Sequence, residues 1–173
     1  VARAAAATGC GRVVGLDVAA GMLARASGDG VEWVEGDAGA LPFADASFDA
    51  VACGFGLMFF ARPVPALGEL RRVLRPDGHL AASVWCGLEA NPALATLGAA
   101  LRDVAGGRAA RILAAAFRMG DPGPLQWLFE RAGLHDVEIH RETRDAHFAS
   151  AGELETALRA GVAGNYVFVK SGF

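Results

Sequence analysis

Two acidic residues stand where side chains could bind a small polar molecule. Asp17 directly follows an apolar run at residues 12–16, and Asp37 follows a second run at residues 31–35 after one glycine. Ligands of open α/β sheets bind at the carboxyl ends of the strands, so carboxylates there more often hold a ligand than a surface salt bridge. The spacing therefore predicts a site for a nucleotide-like molecule at two strand tips.

The two acids suit different parts of such a molecule. The two oxygens of Asp17 match the two hydroxyls of a ribose, whereas Asp37 could accept the exocyclic amine of an adenine while Ala38 offers a backbone N–H to a ring nitrogen. Each acid also has a purely local interpretation. Asp17 could cap the helix that begins two residues later, and Asp37 could bond its own backbone near Gly39. The residues alone leave these alternatives open.

Composition indicates one globular domain over residues 1–173, because 53% of the chain is hydrophobic and 20% is charged. The net charge of −3, with basic residues scattered among acids, argues against a nucleic-acid partner. No run reaches the ~18 apolar residues of a membrane span, so we expect no membrane partner. Three separated cysteines in apolar surroundings, Cys10, Cys53 and Cys86, favour a reducing cytoplasm.

Apolar strands alternate with helical patterns, which is typical of βαβ units and a doubly wound parallel sheet. We predict strands at 12–16, 31–35, 49–53 and 79–85, with helices at 19–26 and 65–74 between them. Pro76 should end the second helix, and Gly78 should supply a positive φ that turns the chain into the next strand.

The second half carries an insert and a late helix-strand pair. An Ala/Leu-rich stretch, residues 91–117, predicts two helices broken by Gly98, Gly106 and Gly107, so that an insert at about 88–118 would cap a pocket. A helix at 124–133 and strands at 137–140 and 166–170 should follow. The chain opens in a helical pattern, and we expect the first strand and glycine-rich turn of such a domain to be missing.

The order of four segments, GLDVAAGMLARA, GDAGALPFADASFDAV, GFGLMFF and LRRVLRPDGHL, resembles class I S-adenosylmethionine-dependent methyltransferases. The similarity is to the ubiquinone/menaquinone-biosynthesis-like branch and covers residues 1 to about 150. It implies strand order 3-2-1-4-5-7-6 in the family's numbering, with an antiparallel last strand and S-adenosylmethionine across the carboxyl ends. The family's glycine-rich loop would lie just before Val1, so we expect weak cofactor binding by this chain.

The resemblance also assigns roles to residues of this chain. The implied ribose ligand is Asp17, and Ala19 stands where the family has a capping Ser or Thr. The resemblance further implies that Val18 and Met22 pack near the adenosine and that Asp37 and Ala38 recognise the adenine. Phe55 and Gly56 would flank the methionine portion. The implied acceptor pocket comprises Leu57, Met58, Phe59 and Phe60, whose alternative interpretation is ordinary core or the start of a helix.

Methyl transfer from a sulfonium is an in-line displacement that needs no covalent enzyme intermediate, so alignment and exclusion of water should dominate. We therefore assign no catalytic residue. The candidates for a general base are His79, His135, His140 and His147, and each is better explained as an exposed histidine. No metal-ligand spacing is present. The expected acceptor is a small, partly hydrophobic molecule.

Two other classes of function compete with this one. A nicotinamide-dependent oxidoreductase would use Asp17 on its ribose in the same way, although the segments after residue 36 have no necessary role in hydride transfer. The chain could also be an inactive methyltransferase-like binding module or an incomplete fragment. Loss of a central strand would leave buried backbone groups unpaired at about 1–3 kcal/mol each.

Overall fold

The protein is described by a computed structural model that covers residues 2–7, 9, 11–26, 30–144, 147, 149, 150, 152, 153, 156 and 166–172. Cys10 lies outside these residues. The elements are, in chain order, α1 (Ala2–Ala7), β1 (Val13–Asp17), α2 (Ala20–Leu23), β2 (Val31–Glu35), β3 (Phe48–Gly54), α3 (Pro63–Val73), β4 (Leu74–Trp85), α4 (Pro92–Ala115), α5 (Pro122–Arg131), β5 (His135–Glu142) and β6 (Tyr166–Gly172). Short 3-10 helices occupy Leu57–Phe59 and Leu88–Ala90.

The strands form an α/β arrangement in two sheets. In the first, β1 pairs in parallel with β2, and in the second the order is β3-β4-β6-β5. β3 and β4 are parallel, whereas β6 is antiparallel to both of its neighbours. With β1 placed beside β3, the combined order is β2-β1-β3-β4-β6-β5. This is the order that the resemblance implies, with an antiparallel β6 and with a gap between β1 and β3 at the position of the family's first strand.

A groove of about 1050 Å³ separates β1 from β3. Its walls include Val13–Asp17 on one side and residues 47–52 with Gly54 on the other. Among the residues that the structure describes, β1 and β3 share no hydrogen-bonded register. Each strand therefore presents one backbone edge to the groove.

The core lies where α3 packs on β4 and α5 packs on α3 and β5. Helical spacing puts Leu67 and Leu70 on one stripe of α3, and both are buried in one apolar cluster with Leu80 of β4. From α5, Leu125 and Phe129 join the same cluster. Burial of this stripe at helical spacing is what holds α3 in its register on the sheet. Among the described residues no helix has both the length and the apolarity that crossing a bilayer requires.

The turn predicted at residues 75–78 is different from the expectation. α3 ends at Val73, one residue before the predicted end, and the chain enters β4 at once. Residues 75–78 of β4 lie opposite Asp49, where the register with β3 shifts between Phe48 and Ala50. Gly78 does not have a positive φ, so that prediction is wrong. Glycine is required here for space instead, because a Cβ at Gly78 would lie 3.1 Å from the Asp49 carbonyl oxygen and 2.9 Å from Leu74 Cδ2.

The insert after β4 starts and finishes at one point. α4 breaks at Gly106, which has φ 78° and ψ 169°, so the predicted two helices are present, whereas Gly98 lies within regular helix. At the base, a Cβ on Gly120 would lie 2.1 Å from the Gly87 backbone nitrogen. The buried Asn91 amide donates to the Gly87 carbonyl at 3.0 Å. The two ends of the insert are thus fastened by direct backbone contact.

Candidate cofactor site

The ends of β1 and β2 place the two predicted acids at neighbouring positions. Asp17 is in register with Glu35, and the Gly36 N–H donates to the Asp17 carbonyl at 3.0 Å. Because the strands are parallel, Asp17 and the turn that contains Asp37 leave the same edge of the sheet. The register therefore brings together the residues that the sequence predicts for ribose and for adenine.

The Asp17 side chain is half-buried and lies in the wall of the groove, as does Met22. Its Oδ1 accepts a hydrogen bond from the Ala19 N–H at 2.8 Å. This is the local contact of the alternative interpretation, although it closes a turn before α2 and does not cap the helix, whose N-cap Ala19 makes no side-chain bond. Within the described chain the other oxygen, Oδ2, accepts no hydrogen bond, so one acceptor remains for a ligand.

Asp37 is exposed, and its Oδ1 accepts from the Gly39 N–H at 2.8 Å. The Ala40 N–H donates to the Asp37 carbonyl at 3.0 Å and closes the turn. The local interpretation of Asp37 is therefore also realised for one oxygen. Neither Asp37 nor Ala38 lines the groove, so these two residues would meet a ligand at the strand tips above it.

Apolar side chains stand unusually open beside Asp17. Val18 is 71% exposed and Met22 is 59% exposed. The helix that carries Met22 is only Ala20–Leu23, shorter than predicted, because nothing caps its start. Exposed apolar groups flanking a carboxylate suit a ligand with a polar sugar and a flat apolar ring.

A strained turn follows β3. Phe55 has φ 54°, a region that bulky residues rarely adopt, and its N–H donates to the Ser83 carbonyl at 3.0 Å. Its ring stacks on Trp85 with centroids 4.3 Å apart, and Phe117 lies beyond Trp85 at 6.3 Å. Neither Trp85 nor Phe117 was predicted from the sequence, although Trp85 ends β4 and so occupies a strand tip as Asp17 does.

The thiol of Cys53 lies beneath this turn. A Cβ at Gly56 would lie 3.1 Å from Cys53 Sγ, which explains the need for glycine there. Burial raises the pKa of the Cys53 thiol above its ordinary value, against opposing backbone hydrogen bonds from Gly56 and Leu57. The protonated thiol is accordingly a packing group at neutral pH and not a nucleophile.

The four residues predicted for the acceptor pocket divide into two kinds. Leu57 and Met58 are fully buried in the core, which is the alternative interpretation given for them. Phe59 is 68% exposed and Phe60 is half-buried. A role in an acceptor pocket therefore remains a prediction for Phe59 and Phe60.

The loop after Asp37 is fastened to α3 by Arg72 and Glu69, which sequence analysis also missed. The Arg72 guanidinium donates to Glu69 Oε1 at 2.7 Å, to the Leu41 carbonyl at 3.0 Å and to the Phe43 carbonyl at 2.8 Å. The hydrogen bond from Arg72 holds the pKa of Glu69 below its ordinary value, and the same pairing raises the pKa of Arg72. Both groups are therefore charged across the physiological range.

The four histidines considered as general bases, His147 among them, are all exposed. His79 lies on β4 in the groove wall, and His140 approaches Glu138 at 3.5 Å while both side chains are exposed. His135 is exposed at the start of β5. The described residues contain no group of three potential metal ligands.

Comparison with known proteins finds methyltransferases as relatives of the segment that carries this site. Residues 1–82 match a protein family described as methyltransferase domain. The ubiquinone/menaquinone biosynthesis C-methyltransferase of Roseobacter denitrificans is 45% identical over 80 residues, covering 42% of this chain and 32% of the relative. The demethylmenaquinone methyltransferase of Thermus thermophilus is 51% identical over 74 residues, covering 39% and 34%. Residues 1–82 are therefore similar in sequence to methyltransferase domains.

The methyltransferase fold extends beyond the matched segment. A phosphoethanolamine N-methyltransferase 2 of Haemonchus contortus, solved with phosphomonomethylethanolamine and S-adenosylhomocysteine, superposes with a TM-score of 0.66 at 15% identity. The superposition covers 97% of this chain and 45% of that one. At this identity the likeness establishes the fold, whereas the chain spans about a third of the length of the curated methyltransferases it matches.

Proposed function

We propose that this chain is the cofactor-binding part of an enzyme that transfers a methyl group from S-adenosylmethionine to a small, partly hydrophobic acceptor. The observation that carries the proposal is the register of β1 and β2, which puts Asp17 beside the turn containing Asp37. The family match covers the same residues, since it spans residues 1–82.

The donor set fits an adenosine. The Oδ2 acceptor of Asp17 would take a ribose hydroxyl, and the exposed side chains of Val18 and Met22 supply apolar surface beside it. Asp37 and Ala38 would read the adenine edge, while the strained turn at Phe55 and Gly56 would flank the methionine portion. S-adenosylmethionine, when bound, supplies an electrophilic methyl group on a sulfonium.

The chain's contribution to the transfer is alignment and exclusion of water. The stack of Phe55 on Trp85 holds the turn after β3 in one conformation, and Phe59 and Phe60 follow directly. Apolar side chains at this position would keep water from an acceptor. Positioning the acceptor in line with the methyl group and removing water from it both favour the transfer step. The insert at about 88–118 would cover the acceptor from above the β4 tip.

For the acceptor we propose a quinone-type ring as the first class to test. The relative from Roseobacter denitrificans is named for ubiquinone/menaquinone biosynthesis, and the relative from Thermus thermophilus is named as a demethylmenaquinone methyltransferase. A flat, apolar ring also suits Phe59 and Phe60. The reducing cytoplasm remains our proposed location, on the basis of Cys53 and Cys86 in apolar surroundings.

Calorimetric titration with S-adenosylmethionine and separately with NAD tests the proposal. We expect weak but saturable binding of S-adenosylmethionine and none of NAD. Both ligands contain adenosine, but only S-adenosylmethionine carries the methionine portion that the turn at Phe55 and Gly56 would flank. Tight binding of NAD would support the oxidoreductase instead. An inactive binding module would bind S-adenosylmethionine yet transfer no methyl group to any of a panel of quinones and phenols.

A further inference from the structure

The turn that carries Asp37 and Ala38 is held at both of its ends. At its start, the Gly36 N–H donates to the Asp17 carbonyl at 3.0 Å. At its end, Leu41 is held through both backbone groups: its N–H donates to Glu69 Oε2 at 2.9 Å and its carbonyl accepts from Arg72 Nη2 at 3.0 Å. The turn therefore has one anchor on β1 and one on α3.

Arg72 uses its planar fork at several acceptors in one place. Nε and Nη2 bond the two oxygens of Glu69 at 2.7 and 2.9 Å, and Nη1 reaches the Phe43 carbonyl at 2.8 Å and Asp45 Oδ1 at 2.7 Å. Guanidinium donors sit in a fixed plane, so a group that satisfies all these acceptors also fixes their relative positions. A lysine ammonium has no such geometry.

The network fixes geometry and can add stability as well. The side chains of Arg72 and Glu69 are 29% and 24% exposed, and their pairing is bidentate within a larger network, which is the arrangement in which an ion pair adds measurable free energy of folding. The hydrogen bonds of both side chains to backbone carbonyls and an N–H also fix where residues 41–45 lie.

We propose that Arg72, paired with Glu69, is a positioning residue that fastens residues 41–45 to α3 and thereby aims Asp37 and Ala38 at the adenine edge. This inference rests on the proposed function of the site. Arg72 touches neither the ligand nor the acceptor and acts through the turn at residues 37–40.

The test compares two ligands that differ at the base edge, S-adenosylhomocysteine and S-inosylhomocysteine, in which a carbonyl replaces the exocyclic amine. The wild-type chain should prefer the adenine ligand by about tenfold or more, the size expected for a hydrogen bond to a carboxylate. In Arg72→Lys, which keeps the positive charge, the preference should fall to about threefold or less through weaker binding of the adenine ligand. A merely structural role would change the melting temperature and leave this ratio intact.

Arg75→Lys is the matched control, because Arg75 is also an arginine paired with a carboxylate, that of Asp49, and the hydrogen bond and ion pair described for it go to Asp49 and not to residues 37–45. Its base preference should equal that of the wild type. Glu69→Gln removes the carboxylate that accepts two hydrogen bonds from Arg72. It should reduce the base preference as Arg72→Lys does, and it provides the test if Arg72→Lys does not fold.

The outcomes separate the two claims. A wild-type chain that binds both ligands equally, or neither, overturns the adenine role of Asp37 and the positioning role with it. A wild-type preference that persists in Arg72→Lys and in Glu69→Gln, or that is lost equally in Arg75→Lys, overturns the positioning role alone.

Discussion

Replacing Asp17 with Asn is expected to weaken the binding of S-adenosylhomocysteine by roughly 10- to 100-fold, as for the loss of a hydrogen bond to a charged group. Asn keeps an oxygen that can accept from the Ala19 N–H, so the turn before α2 is preserved. What the substitution removes is the negative charge and the second acceptor. Isothermal titration calorimetry at constant ionic strength measures the difference.

The design separates the two interpretations of Asp17. If the side chain serves the turn alone, Asp17→Asn binds the ligand as tightly as the wild type, and our assignment of the ribose contact is wrong. Asp77→Asn is the control for the change in net charge, because Asp77 is exposed at the other end of β4. It should leave the affinity unchanged.

Gly120→Ala is expected to destabilise the fold by about 1–3 kcal/mol or more, which is the range for overpacking in a closed site. The added Cβ would lie 2.1 Å from the Gly87 nitrogen and 2.3 Å from the Cys86 carbonyl carbon. Both are backbone atoms, so no side-chain rotation relieves the clash. Urea denaturation followed by circular dichroism gives the change in the free energy of unfolding.

Gly68→Ala is the matched control for Gly120→Ala, because it makes the same chemical change with the opposite expected effect on stability. Gly68 lies within α3, and nothing stands within 4 Å of the position of its Cβ. Alanine should stabilise the helix there by about 0.5–1 kcal/mol. Equal effects of the two substitutions would show that the contact between the ends of the insert does not hold as described.

The sequence was sufficient for the elements whose apolar pattern is regular. β2 was predicted with its observed ends, and the stripe on α3 is buried as its spacing required. Strand order followed from the family resemblance, because no local pattern states which strands are neighbours. The positions of Asp17 and Asp37 at strand tips followed from strand ends alone, whereas the pairing of those two strands followed from the resemblance.

What the sequence could not supply is contact between distant backbone segments. The close approach of Gly120 to Gly87, and of Gly78 to the Asp49 carbonyl, depends on tertiary packing that no local pattern encodes. The Arg72 network was missed for the same reason, since its acceptors on the loop are 27–31 residues away in the chain. A charged pair on an amphipathic helix indicates a solvated face unless its partners are known.

The most direct test is a nuclear magnetic resonance titration of the ¹⁵N-labelled chain with S-adenosylhomocysteine, carried to millimolar ligand. Our account predicts amide shift changes at the ends of β1, β2 and β3, that is at Asp17, Val18, Met22, Asp37, Ala38, Phe55 and Gly56. A spectrum that does not change, or changes confined to the exposed face of α4 around Val104 and Ile112, would contradict it.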